Sequence, residues 1–146
     1  MSDSVKQSLY EQLGGRPTLD RVHKIFYDKL YAHAWIGQFF KTINQATIEV
    51  QQSDFMAQAM GGPQMYCGAF PIPAHKHMNI TNELFDLRHG MLKDSLQEAG
   101  VPQELAEKWL KIDVSFRTGI VKKSVDDCQK RFMTDDILDY SKPWNS

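Results

Sequence analysis

"FPIPAHKHMNIT", Phe70 to Thr81, decides how this chain is read, because the segments on both sides of it have helical periodicity and it does not. Pro71 and Pro73 predict a break in regular helix over Phe70 to Ala74, since proline lacks an amide hydrogen and clashes with the preceding turn. Two histidines, His75 and His77, follow at once on the approach to the next helix. If that approach is helical, successive side chains advance by about 100°, so the two imidazoles diverge by about 200° and cannot meet on one metal. At most one of them ligates. A lone histidine is more often exposed or hydrogen-bonded than a ligand, and its surroundings must decide.

Working outward, the chain divides into amphipathic helices. On the N-terminal side, Ile48, Gln52, Phe55 and Ala59 form one stripe of a helix that starts after a polar turn at Asn44 and stops at Gly61 to Pro63. Before it, Pro17 opens a helix with Leu19, Val22, Phe26 and Leu30 on one side, and "LYEQLGG", Leu9 to Gly15, is a short helix closed by a glycine pair. On the C-terminal side, Leu84, Leu87, Met91, Leu92 and Leu96 make a stripe that closes at Gly100. Pro102 then opens a last long helix with Leu105, Trp109, Ile112, Phe116 and Ile120. Sustained alternation of polar and apolar residues is missing, so the expected class is all-α. The polar tail from Thr134 to Ser146, with Pro143 and Trp144, has little periodicity.

At 146 residues the chain suits one domain with a core large enough to need no staple. Lys and Arg number 17 against 18 Asp and Glu, for a net charge of −1 without a basic run, which excludes a nucleic-acid or acidic-membrane partner on electrostatic grounds. No apolar signal core opens the chain and no run approaches the roughly 20 apolar residues of a membrane span, so a cytoplasmic protein is expected. Cys67 and Cys128 form no CxxC pair and are read as free thiols. Cys67 beside Tyr66 is read as an inert small hydrophobe, with a redox-sensitive thiol as the alternative.

Two residues do not suit a plain helical core. Gln52 shares a stripe with Ile48 and Phe55, and an amide buried without a partner costs roughly 1–3 kcal/mol. It therefore lies at the edge of the stripe or faces something polar. Tyr27, next to Phe26, is either ordinary packing with a surface hydroxyl or a second polar group turned inward. No HxxxH, HExxH or Cys/His cluster occurs, so a metal held by protein ligands alone is excluded by ligand count. A single histidine can still anchor a metal whose other ligands come from a cofactor, as porphyrin does for iron.

The ordered set "LYEQLGG", "FY" at Phe26–Tyr27, "FF" at Phe39–Phe40, "QAMGGP" from Gln58, "YCG" from Tyr66 and "AHKHMNIT" from Ala74 resembles the truncated haemoglobins, most closely the first of their three subgroups. The resemblance covers roughly Leu9 to Val121 and implies a two-over-two helical sandwich around one haem b. One globin domain is expected over 1–146, with its core at about 9–121 and an extension at about 122–146. The same resemblance implies His75 as the proximal iron ligand, with His77 pointing away. It implies Tyr27 and Gln52 as distal ligand-binding residues, Ile48 as bulk where other globins carry a distal histidine, and Phe40 against the porphyrin. Tyr66 and Phe55 would line the pocket or its access route, and Lys76 would reach a haem propionate. His23, His33 and Gln51 leave open an internal sixth ligand.

Dioxygen on ferrous haem carries negative charge on its outer atom, so the Tyr27 and Gln52 donors are expected to hold it tightly in a dry pocket and to favour it over carbon monoxide. The resulting expectation is a monomeric haem protein that reversibly binds dioxygen, carbon monoxide or nitric oxide at a five-coordinate iron. The alternative is a nitric oxide dioxygenase using the same residues together with a reductase.

Overall fold

Capping side chains fix where the helices begin. In the computed structural model, which describes residues 7–64, 66 and 70–144, Ser8 and Glu11 form a reciprocal capping box at the head of α1 (Leu9–Leu13). Gly14 ends that helix with φ of 99°, a left-handed conformation that side chains resist. α2 (Arg16–Ala32) starts with proline in its first turn. A short 3₁₀ turn, Ile36–Phe40, leads to α3 (Gln45–Ala59), whose Asn44 cap accepts from the Thr47 amide at 3.0 Å. α4 (Pro71–His75) is followed by α5 (Asn82–Glu98), capped by Thr81. Then come α6 (Gln103–Val114) and α7 (Arg117–Ile120). Among the described residues there is no strand beyond two isolated bridges, and no helix is long and apolar enough to cross a membrane.

The core is built by α2, which packs on α3 along one side and on α5 along another, while α5 packs on α6. One helix pair lies over another, which is a two-over-two sandwich. Leu19, Val22, Phe26 and Leu30 are essentially inaccessible, as their spacing predicts, and burial of each contributes about 1.5–3 kcal/mol. The α2–α3 seam also holds a polar pair, the His23 ring at 2.7 Å from the Ser53 hydroxyl, with the imidazole edge-on to Trp109 at 5.5 Å. Burial pushes the His23 pKa down to about 3, so the ring is neutral there.

Three expectations are corrected by the fold. Pro71 and Pro73 do not keep their stretch irregular: they occupy the first turn of α4, where amides have no intrahelical acceptor, and the segment folds as a single helical turn. The last long helix is broken between α6 and α7, where the Ser115 hydroxyl bonds the Ile112 carbonyl at 2.5 Å in competition with the backbone. In α3 the residues turned into the core are Ser53, Met56 and Ala57, not Ile48, Gln52, Phe55 and Ala59. Ala59 is exposed, and the other three are half-buried on a second inward face.

After α7 the chain turns back along the residues that follow α4. Val121 bridges Ile80 and Leu138 bridges Met78. Trp35 Nε1 donates to the Tyr140 carbonyl at 2.6 Å, the Tyr140 ring meets Phe39 at 4.9 Å, and Trp144 packs edge-on against His33 and Trp35. The tryptophan of the polar tail thus docks on its own chain. Cys67 lies outside the described residues.

Candidate functional site

A cavity of about 520 Å³ opens between α3, the 3₁₀ turn, α4 and the inner faces of α5 to α7. That volume falls in the range of small-molecule and cofactor pockets. The stripe of α3 that misses the core faces this space: Ile48, Gln51, Gln52 and Phe55 all line it. Tyr27 reaches it from α2 and Phe40 from the 3₁₀ turn, the two rings edge-on at 6.0 Å. Tyr31 stacks on Phe40 at 4.9 Å and donates its hydroxyl to the Ile43 carbonyl at 2.8 Å, which sets the phenylalanine in place. Tyr66 also lines the cavity and meets Phe55 at 5.3 Å. Tyr27 is 5 % exposed, and burial raises its pKa, so the phenol keeps its proton and remains a donor.

His75 ends α4 on the cavity wall, and among the described residues it is the one histidine that lines it. Its Nδ1 lies 2.7 Å from the Pro71 carbonyl oxygen. A carbonyl only accepts, so Nδ1 carries the proton and Nε2 of the neutral ring has a free lone pair. Burial, opposed in part by that hydrogen bond, pushes the pKa down to about 4. The ring is therefore a neutral donor at physiological pH, with the fixed tautomer typical of metal-bound imidazole. His77 is buried away from the cavity, and its Nδ1 finds no hydrogen-bond partner among the described residues.

Lys76 is not on the cavity wall; the cation there from outside the helices is Arg131, held by Asp135 at 2.9 and 3.0 Å. His23 and His33 are not on the wall either. His23 is engaged with Ser53, and the His33 ring nitrogen accepts from the Trp35 and Ile36 amides. Sequence reasoning missed Arg88 and Asp113, which line the inner wall. Asp113 pairs with Arg88 at 2.8 Å and with His89 at 2.8 Å. Burial raises the Asp113 pKa, but the charge of Arg88 and the two bonds outweigh it and hold the carboxylate ionised. The signal was present: Asp113 lies one helical step beyond Trp109 on the buried stripe, and Arg88 lies midway between Leu84 and Leu92.

Among the described residues no group of three or more His, Cys, Asp or Glu could hold a metal ion. One neutral imidazole beside a largely apolar cavity suits a metal whose other ligands come from a cofactor, as a porphyrin's do for iron. A two-over-two helical sandwich enclosing such a cavity defines a small globin. The family model for bacterial-like globins matches residues 8–121. A group 1 truncated haemoglobin of Mycolicibacterium paratuberculosis is 36 % identical over 103 residues, 70 % of this chain and 76 % of that one. The solved Fe(III) structure of the truncated haemoglobin of Tetrahymena pyriformis superposes with a TM-score of 0.74 at 32 % identity, over 80 % of this chain and 100 % of that one. A Synechococcus 2/2 haemoglobin, solved in the cyanomet state with covalently attached haem, gives 0.72 at 31 % identity over 79 % of this chain and 98 % of that one. The chain belongs to the truncated haemoglobin family and is most similar to group 1.

Proposed function

We propose that the protein is one globin domain, with its core at about 9–121, that holds a non-covalent haem b between His75 and the Tyr27–Gln52 wall and reversibly binds dioxygen and other diatomic gases. The observation that supports this most is the His75 ring: neutral, oriented by the Pro71 carbonyl, and lining the cavity with Nε2 free. Bound haem supplies an iron with a position open to a gas molecule.

The chain's own residues do the rest. The Tyr27 hydroxyl and the Gln52 amide are donors on the opposite wall, and in a water-poor cavity each is worth more than in solvent. They favour a ligand with negative charge on its outer atom, so dioxygen is retained over carbon monoxide and released slowly. Phe40, Ile48, Phe55 and Tyr66 supply bulk that limits water. Arg131 on the cavity wall, or Lys76 next to His75, meets a carboxylate of the cofactor. Structures from Tetrahymena pyriformis include a tyrosine-to-phenylalanine variant and two glutamine-to-glutamate variants, which points to the same residue types.

The test is the absorption spectrum of protein purified with adequate haem supply. A Soret band, a pyridine haemochrome of b type and a slow oxygen dissociation rate are expected; a colourless, folded protein that refuses added haemin defeats the reading. Mixing the oxygenated protein with nitric oxide then separates roles. A single stoichiometric burst of nitrate leaves a gas-binding protein, whereas sustained consumption with a cellular reductant makes it a nitric oxide dioxygenase.

A further inference from the structure

α4 is one turn long, too short to persist alone, and its end carries carbonyls with no intrahelical partner. The Met78 amide donates to the His75 carbonyl at 2.9 Å and the Ile80 amide to the Met78 carbonyl at 3.0 Å, and the residues after α7 supply the further bonds. Lys122 Nζ donates to the carbonyls of His75 at 2.9 Å, Met78 at 2.9 Å and Ile120 at 2.7 Å. The Gln129 amide donates to the Lys76 carbonyl at 2.7 Å and the Leu138 amide to the His77 carbonyl at 2.9 Å. Every carbonyl from His75 to Met78 thus accepts a bond from between Lys122 and Leu138. Lys122 is itself fixed, since its own amide donates to the Ile80 carbonyl at 2.9 Å.

Lys122 is unusual among these donors. An ammonium has three protons, and here all three go to backbone carbonyls. It lies partly buried, and Asp127 acts on it through charge while its hydrogen bonds go to the carbonyls. A charged donor shared among three peptide oxygens holds them at set distances from one point, more firmly than neutral amides do. One of those oxygens belongs to His75, whose ring is already tied to Pro71 from the other end of the helix. The backbone and the ring of that residue are therefore both tied.

We propose that Lys122 is the positioning residue of the proximal ligand, setting through the His75, Met78 and Ile120 carbonyls how the His75 imidazole meets the haem iron. This rests on His75 being that ligand. The experiment uses the full chain loaded with haem, comparing wild type with Lys122→Met, Lys122→Arg and His75→Ala. It reads the iron–histidine stretching band by resonance Raman in the ferrous, gas-free state, and haem loss to excess apomyoglobin. Lys122→Met is expected to shift and broaden the band and to speed haem loss about tenfold, the consequence of losing charge-assisted hydrogen bonds. Lys122→Arg, which keeps charge and donors, is expected to recover most of both.

If His75→Ala retains the wild-type band, the ligand assignment itself has failed. If His75→Ala abolishes the band while folded Lys122→Met leaves its position and width unchanged, the positioning role is overturned and His75 stands. Should Lys122→Met not fold, Lys122→Gln keeps a shorter neutral donor. An intermediate band in that variant supports the role, and an unchanged one overturns it.

Discussion

Tyr27 and Gln52 stand on helices of 17 and 15 residues that pack on each other, whereas His75 closes a helix of five. The first wall of the cavity is held by the core itself: the same α2 that carries Tyr27 buries Leu19, Val22, Phe26 and Leu30. The second wall has little core of its own. The carbonyls of His75 to Met78 are held by hydrogen bonds from residues at least 44 positions further along the chain, Lys122 to Met78 being the shortest span. A wall that inherits its geometry from burial should tolerate change at the cavity face. A wall that depends on a few polar ties should not.

The largest expected contrast lies within the second wall. His75→Ala should abolish stable haem coordination while His77→Ala leaves the optical spectrum nearly unchanged, because only the first ring lines the cavity. Equal spectral effects would remove the ligand assignment.

A smaller effect should expose how the first wall is built. Unfolded His23 takes up a proton below its ordinary pKa of 6.5, whereas the buried ring does so only near 3. Between those values the unfolded chain binds more protons, so stability falls as pH drops from 6.5 to 3, at about 1.4 kcal/mol per pH unit for one group. In apoprotein, replacing the pair together, His23→Leu with Ser53→Ala, should reduce the pH slope of denaturant midpoints across that window, His75 supplying the remainder down to about pH 4. An unchanged slope would show that the seam's polar pair does not govern acid sensitivity.

Within the first wall, Tyr27→Phe should raise the oxygen dissociation rate about tenfold or more, the kinetic equivalent of a lost bond of roughly 1.5–3 kcal/mol to a charged acceptor. Gln52→Leu should raise it less, since Tyr27 still donates. Stopped-flow rates in the reverse order would make the amide the principal donor.

The first wall was legible in sequence because helical periodicity is a local property. Gln52 on an apolar stripe and Tyr27 beside Phe26 were anomalies of residue type at predictable positions, and both line the cavity. Periodicity could not tell the core-facing side of α3 from the cavity-facing side, since Ser53, Met56 and Ala57 are less apolar than the stripe that was read as core. The second wall was legible only as a break with two histidines. Neither the helical fold of Pro71–His75 nor its partners could be read locally, because Lys122, Gln129 and Leu138 belong to a stretch without period. Arg131 gives no hint in sequence of reaching the cavity, whereas Arg88 and Asp113 interrupt buried stripes and could have been noticed.

The two inward faces of α3 separate what keeps the protein folded from what it can hold. Residues 53 and 57 turn to the core, Met56 serves both core and cavity, and 48, 51, 52 and 55 line the cavity. Descendants of this sequence could therefore drift in gas preference by changing four side chains on one helix, with the scaffold underneath left as it is.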